Sequence, residues 1–246
     1  MAPQTVALIP AAGKGVRFGA QCPKQYLEIE RLPILLHTLK SLSIPQIDAI
    51  YVVVATDDHY VDLIRQRFPE FWSTLIHQAN SPAHRVEILR MGGIKRSETV
   101  FNALTYLLKE AFISQEDWLL VHDAARCCLR SELLLGLLGE VSKRQQGGLL
   151  AQKITDTVKE ADIHFQVKRT LNREFLWLAQ TPQIFKVADL VQAYSHTKDW
   201  ESMTDEASLI ESTTLERPFI FPSDTSNVKV TTQEDFLYAQ FLLSKR

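Results

Sequence analysis

Short apolar runs rich in β-branched residues alternate with stretches of helical spacing along most of the chain. Val6, Ala7, Leu8 and Ile9 form a continuous apolar run ending at Pro10, the pattern of a strand buried on both faces. Runs at 50–55, 86–90 and 118–121 predict three more strands, and Gly147-Gly148 turns into a fifth run at 149–151. Between them the spacing predicts helices over 34–42, 60–68, 97–108 and 131–143, with Ser97 and Ser131 placed as caps. Residues 68–85 give no clear signal. This βαβα order predicts an α/β fold with a mostly parallel, doubly wound sheet and helices on both faces. Ligands of such sheets sit beyond the carboxyl ends of the strands. The residues after the first and fourth strands are therefore the first candidates for a site.

The rhythm breaks after Ala151. Residues 153–172 are polar and strand-like without a helix, as in a β-hairpin arm projecting from the sheet. Helical spacing returns at 187–196 and 204–212, strands are predicted at 216–221 and 226–230, and an amphipathic helix at 233–243 closes the chain. No repeat, low-complexity tract or linker divides the 246 residues, so the expectation is one domain, 1–246, carrying the arm. Lys plus Arg is 27 and Asp plus Glu is 29, a formal net charge of -2, which offers no general basic excess for nucleic acid. A charged ligand must instead meet a local cluster. Cys22 and the adjacent Cys127 and Cys128 match no zinc spacing or disulfide framework and suit a reducing cytoplasm. The first apolar run is too short for a secretory signal, and no stretch approaches a membrane span.

The loop after the first strand reads Pro10-Ala11-Ala12-Gly13-Lys14-Gly15-Val16-Arg17-Phe18-Gly19. Small residues let backbone N–H groups approach a phosphate closely. The order is not that of a P-loop, and Phe18 stands where a dinucleotide fingerprint needs its third glycine. Pro23 also interrupts the helix that such a fingerprint opens. Arg17, and Lys24 in Cys22-Pro23-Lys24-Gln25-Tyr26, put two cations beside the turn, which suits a triphosphate whose leaving pyrophosphate gains charge. The competing reading is two solvated loop charges. The fourth strand runs into His122-Asp123-Ala124-Ala125-Arg126. A carboxylate there can hold magnesium against phosphate oxygens, with Ala124 and Ala125 leaving room beside it. The competing reading makes Asp123 a helix cap, a role for which Ser131 is better placed. Alternation along the strand turns His122 away from Asp123, toward packing or hydrogen bonding.

Taken together these segments resemble the 2-C-methyl-D-erythritol 4-phosphate cytidylyltransferase family. The resemblance continues through Asp156-Thr157-Val158-Lys159, Gln180-Thr181-Pro182-Gln183-Ile184-Phe185, Thr204-Asp205-Glu206-Ala207-Ser208 and Asn227-Val228-Lys229-Val230-Thr231, in order over nearly the whole chain. It implies a Rossmann-like nucleotidyltransferase fold, a homodimer whose arms reach the neighbouring site, and magnesium as cofactor. It also implies CTP and a small polyol phosphate as substrates, and a place in non-mevalonate isoprenoid synthesis. By position it implies that Arg17, Lys24 and Lys229 act on the phosphates, and that Ala11, Ala12, Gly13, Gly15, Gly93, Thr99, Asp123 and Ala124 hold the nucleotide. Asp123 would meet the metal, and Thr157, Arg173 and Arg126 the acceptor, the first two from the partner subunit. Three features depart from the family pattern: Cys127 in place of a proline, Ile94 at a place that is often acidic, and a longer 68–85 segment.

The implied reaction is in-line attack of the acceptor phosphate on the α-phosphorus of CTP, with pyrophosphate leaving. An ionised phosphate needs no general base, so catalysis reduces to positioning and charge stabilisation. Three rivals share much of the pattern: a ribitol 5-phosphate cytidylyltransferase, a transferase using another nucleotide base, and a CTP-binding domain without turnover.

Overall fold

The computed structural model describes residues 3–13, 22–78, 85–213 and 216–245. Its centre is a seven-stranded sheet built from β1 (Thr5–Pro10), β4 (Ala49–Val54), β5 (Arg85–Arg90), β6 (Trp118–Val121), β7 (Gly148–Lys153), β10 (Trp177–Lys186) and β11 (Phe219–Ser223), in the spatial order β11-β7-β10-β6-β1-β4-β5. β5, β4, β1 and β6 are parallel, β10 runs antiparallel between β6 and β7, and β11 pairs parallel with β7. Two small antiparallel ribbons stand apart from it: β2 (Glu28–Ile29) with β3 (Leu32–Pro33), and β8 (Val158–Ala161) with β9 (Val167–Leu171). The mostly parallel α/β architecture read from the sequence is the one observed.

The continuous apolar runs are explained by layers on both faces. Successive residues of β1 serve different cores: Ala7 and Ile9 pack on one side, Val6 and Leu8 on the other. β4 alternates likewise, and all six of its residues are buried. One face is covered by α1 (Ile34–Leu42), α2 (Tyr60–Arg67), α3 (Pro69–Gln78) and α5 (Ser131–Arg144). The other is covered by α4 (Arg96–Lys109), α6 (Val187–His196) and α7 (Glu206–Glu211). The last helix, α8 (Gln233–Leu243), closes a small third cluster over Cys127, Cys128 and Val230.

One stretch without a prediction is filled, and three expectations need correction. Helix α3 fills part of the stretch that gave no signal. Ser97 is not the cap of α4, which begins at Arg96 after Lys95; its hydroxyl donates instead to the carbonyl of Glu201. Ser131 is likewise the first residue of α5 rather than its cap. Finally, 226–230 is not a strand, because its polar groups are taken by the loop after β6 and by Gln180 and Thr181 of β10. Asn227 Nδ2 donates to Gln180 Oε1 and to the carbonyl of Thr181, Arg126 donates to the carbonyl of Asn227, and Val230 N–H to the carbonyl of Ala125. With these bonds made, the segment lies across the end of β6 rather than along a neighbouring strand.

Candidate active site

The chain passes from β1 through α1 to β4 on one side of β1, and from β5 through α4 to β6 on the other. The boundary between β1 and β6 is thus the switch point of the sheet, where ligands of open α/β folds bind. At its carboxyl end a cleft of about 180 Å³ is lined by the loop after β1, the 3₁₀ turn Lys24–Tyr26, the loop after β5, the loop after β6 and Lys229. A larger hollow of about 670 Å³ opens at the opposite edge, around Thr5, Asp48 and Trp118. It carries no comparable charge cluster, and the chemistry assigns the site to the smaller cleft.

The loop after β1 leaves the sheet with Ala11 N–H bonded to the carbonyl of Val53. Gln25 holds it from the other side, its amide donating to the carbonyls of Ala11 (2.7 Å) and Gly13 (3.2 Å). Next to Gln25, the Tyr26 hydroxyl donates to the buried Asp58 carboxylate at 2.7 Å. The 3₁₀ turn is therefore pinned at Gln25 and Tyr26, and Lys24 is presented to the cleft, where its Nζ donates to the carbonyl of Val230 at 2.8 Å. The loop after β5 comes so close that a Cβ on Gly92 would lie 2.2 Å from that of Ala12. Only glycine fits there. Gly93 lines the cleft and its N–H donates to Thr99 Oγ1 at 3.0 Å.

Asp123 lies in the loop just after β6 and is nearly buried, with two positive groups in direct contact. Arg96 Nε donates to Oδ1 at 2.8 Å, and Lys229 Nζ to Oδ2 at 2.7 Å. Arg126 Nε stands 3.8 Å from Oδ2. Burial alone pushes this carboxyl up, but the charges of Arg96 and Lys229 and their hydrogen bonds outweigh it and hold Asp123 well below the usual carboxylate range. It is an ionised acceptor throughout the physiological range, and no helix cap.

His122 faces the other way, as alternation predicts. Its Nε2 lies 3.1 Å from the carbonyl of Arg126, which can only accept, so Nε2 carries the proton. Nδ1 then accepts from the Thr181 hydroxyl at 3.0 Å, while Thr181 Oγ1 accepts from the N–H of Asp123. Full burial lowers the imidazole pKa to about 4, so His122 is neutral and structural.

The structure gathers Ala11, Ala12, Gly13, Lys24, Gly93, Asp123, Ala124 and Lys229 around one cleft. Thr99 stands behind it, acting through Gly93. Arg126 is buried beside Asp123 and is spent on the carbonyl of Asn227, so it braces the segment that carries Lys229. Thr157 and Arg173 are exposed on the polar excursion between β7 and β10, away from the cleft lining. Gly15 and Arg17 lie outside the described residues. Two residues outside the predicted site, Arg96 and Glu206, complete the network around Asp123. The Glu206 carboxylate is 2% exposed and receives both terminal nitrogens of Arg96, at 2.8 and 3.0 Å. The available signal was a cation at the first turn of α4, the end that disfavours positive charge and asks for carboxylates nearby.

Comparison with known proteins agrees over the full length. The family model for 2-C-methyl-D-erythritol 4-phosphate cytidylyltransferase matches residues 5–245. A protein of that name from Chromobacterium violaceum is 38% identical over 242 residues, covering 98% of each chain. One from Nitrosospira multiformis is 41% identical over 238 residues, covering 96% of each. The crystal structure of a 4-diphosphocytidyl-2C-methyl-D-erythritol synthase superposes with a TM-score of 0.79 at 34% identity, covering 98% of this chain and 99% of that one.

Proposed function

The chain belongs to the 2-C-methyl-D-erythritol 4-phosphate cytidylyltransferase family, and from that premise we propose that its β1–β6 cleft passes CMP from CTP to the phosphate of 2-C-methyl-D-erythritol 4-phosphate. The observation that carries this placement is the meeting of a small-residue loop, Ala11 to Gly13, with Lys24, Asp123 and Lys229 at the switch point of the sheet. An anionic nucleotide finds backbone groups on one wall of the cleft and cations on the other.

In this reading an oxygen of the acceptor phosphate forms a bond to the α-phosphorus of CTP. The bond from that phosphorus to the bridging oxygen breaks, and pyrophosphate leaves with the electron pair. Lys24 and Lys229 stabilise charge as it accumulates on the phosphoryl oxygens and the leaving group, with Arg17 as their partner from the loop after β1. No side chain needs to take a proton, which agrees with a neutral, buried His122.

Magnesium fits the donors present. Asp123 is an ionised carboxylate in the cleft wall with acceptor capacity beyond the Arg96 and Lys229 contacts. Among the described residues no group of three His, Cys, Asp or Glu gathers into a closed metal cage. That suits a cation which takes one or two carboxylates and completes its shell with phosphate oxygens and water. Asp123 would hold it, and the ion would supply neutralisation of the triphosphate.

The reading includes a homodimer, with Thr157 and Arg173 of each arm reaching the acceptor end of the partner's cleft. It is supported by the exposure of both residues and by Ile163 and Phe165, which stand 88% and 91% exposed near the turn of the β8–β9 ribbon. A reducing cytoplasmic setting is supported by three free cysteines, and no helix among the described residues is long and apolar enough to cross a membrane.

The test is ³¹P NMR of CTP, acceptor and magnesium with the purified protein. Wild type yields a diphosphate diester and pyrophosphate, whereas Asp123→Asn yields neither at the same enzyme concentration. Unchanged turnover in Asp123→Asn would move the reaction out of this cleft.

A further inference from the structure

Asp123 is held unequally at its two oxygens. Oδ1 is fixed by Arg96, whose own position is set by a two-pronged pair with Glu206 at 2.8 and 3.0 Å. Oδ2 contacts Lys229, whose side chain is 41% exposed in the cleft. Arg96 is the first residue of α4 and Glu206 the first of α7, so the pair ties the starts of two helices to the end of β6. A guanidinium next to a carboxylate ordinarily engages both oxygens side by side. Here Glu206 takes the two terminal nitrogens, which fixes the plane of the guanidinium, and Asp123 receives a single bond, from Nε to Oδ1. We propose that the Arg96–Glu206 pair is a positioning device that aims Asp123 and keeps Oδ2 exchangeable between Lys229 and a divalent cation carried by the nucleotide.

The device explains why a carboxylate is buried at a strand end among cations without being consumed by them. Lys229 holds Oδ2 before the substrate enters, and is released toward the phosphates when the cation arrives. Without Glu206 the guanidinium plane of Arg96 is no longer fixed, so it can turn to meet both oxygens of Asp123 side by side, and the cation loses its place. With lysine at 96 the charge stays, but one ammonium cannot serve both carboxylates in a fixed plane. The inference rests on the proposed role of Asp123, and it extends that role to two residues that act through Asp123.

The experiment compares wild type, Glu206→Gln, Arg96→Lys and the double variant. Manganese EPR in the presence of CTP gives the affinity for the ion, and steady-state assays with magnesium separate kcat from KM. Supporting partners of this kind are worth about 10- to 100-fold in metal affinity or activity. Each single variant is therefore predicted to weaken manganese binding and to lower kcat by about that factor, with little change in KM for the acceptor. The double variant should lose no more than the worse single one, because the two residues act as a unit. Wild-type manganese affinity and kcat in Arg96→Lys, with only a lower melting temperature, would make the pair purely structural and overturn the proposal. Should Glu206→Gln fail to fold, Arg96→Lys decides alone, since it leaves Glu206 paired with a cation. If wild type binds manganese with CTP yet transfers nothing to the acceptor, the functional reading fails while the EPR comparison still judges the clamp.

Discussion

Lys24 is the residue on which the electrostatic account bears most. Gln25 and Tyr26, the two residues after it, fix the turn, so truncating the Lys24 side chain removes a charge without releasing the turn. Lys24→Ala is predicted to cost about 2.7–4 kcal/mol of transition-state stabilisation, a loss of about 100- to 1000-fold in kcat. Near-normal turnover in steady-state assays would remove Lys24 from the chemistry. At Gly92 the prediction is steric. Gly92→Ala pushes a methyl against Ala12 Cβ and the Val54 carbonyl, forcing apart two walls of the cleft at about 1–3 kcal/mol. Calorimetry should show weaker CTP binding and a lower melting temperature; an unchanged protein would mean that the loops give way freely.

His122 yields a prediction of opposite sign to the usual stabilising histidine. Its folded pKa of about 4 lies below the unfolded value of 6.5, so the unfolded chain binds the proton first. This group leaves stability untouched above pH 6.5 and lowers it as pH falls from 6.5 toward 4, by roughly 2 kcal/mol at pH 5. NMR should find the imidazole protonated at Nε2 only, with no titration step above pH 5. A step near 6.5 would contradict its burial in the Thr181–Arg126 network. The orientation of His122 was legible from strand alternation alone. Lys229 was not: its run of alternating residues suggested an ordinary surface strand, and only the family resemblance gave it a role. Arg96 and Glu206 were illegible as a pair because 110 positions separate them and nothing local links α4 to α7.

Among the elements, the strands buried on both faces were the easiest to read, because each is a short apolar run closed by a turn. β10 was missed for a physical reason. Pro182 sits inside it, where the register with β7 shifts between Ala179 and Gln183, and a proline ordinarily argues against an inner strand unless a bulge accommodates it. Residues 226–230 misled in the other direction, since an alternating pattern says nothing about which groups will take the backbone hydrogen bonds. The β8–β9 ribbon was legible as a polar arm, and its exposed apolar turn bears on the proposed assembly. Phe165→Asp is predicted to leave the fold and the cleft intact while shifting the protein from dimer to monomer in light scattering. It should also lower turnover, because Thr157 and Arg173 would no longer reach a partner. A variant that stays dimeric would place the contact elsewhere.

At the scale of the molecule, the sheet order determines where chemistry can occur, and the loops determine what it is. The crossing of the chain at β1 brings the small-residue loop beside Asp123, although 110 positions separate Gly13 from Asp123. The alternation of strands and helices was enough to predict this neighbourhood, because both loops follow adjacent parallel strands at a switch point. The proposed acceptor end of the site was beyond such reasoning, since Thr157 and Arg173 lie on an arm that leaves the sheet. The most direct test of the whole account is pyrophosphate release with CTP and magnesium, run in parallel with 2-C-methyl-D-erythritol 4-phosphate, ribitol 5-phosphate and no acceptor. Release is expected with the methylerythritol phosphate alone; release with ribitol 5-phosphate alone, or with no acceptor at all, would contradict the proposed reaction.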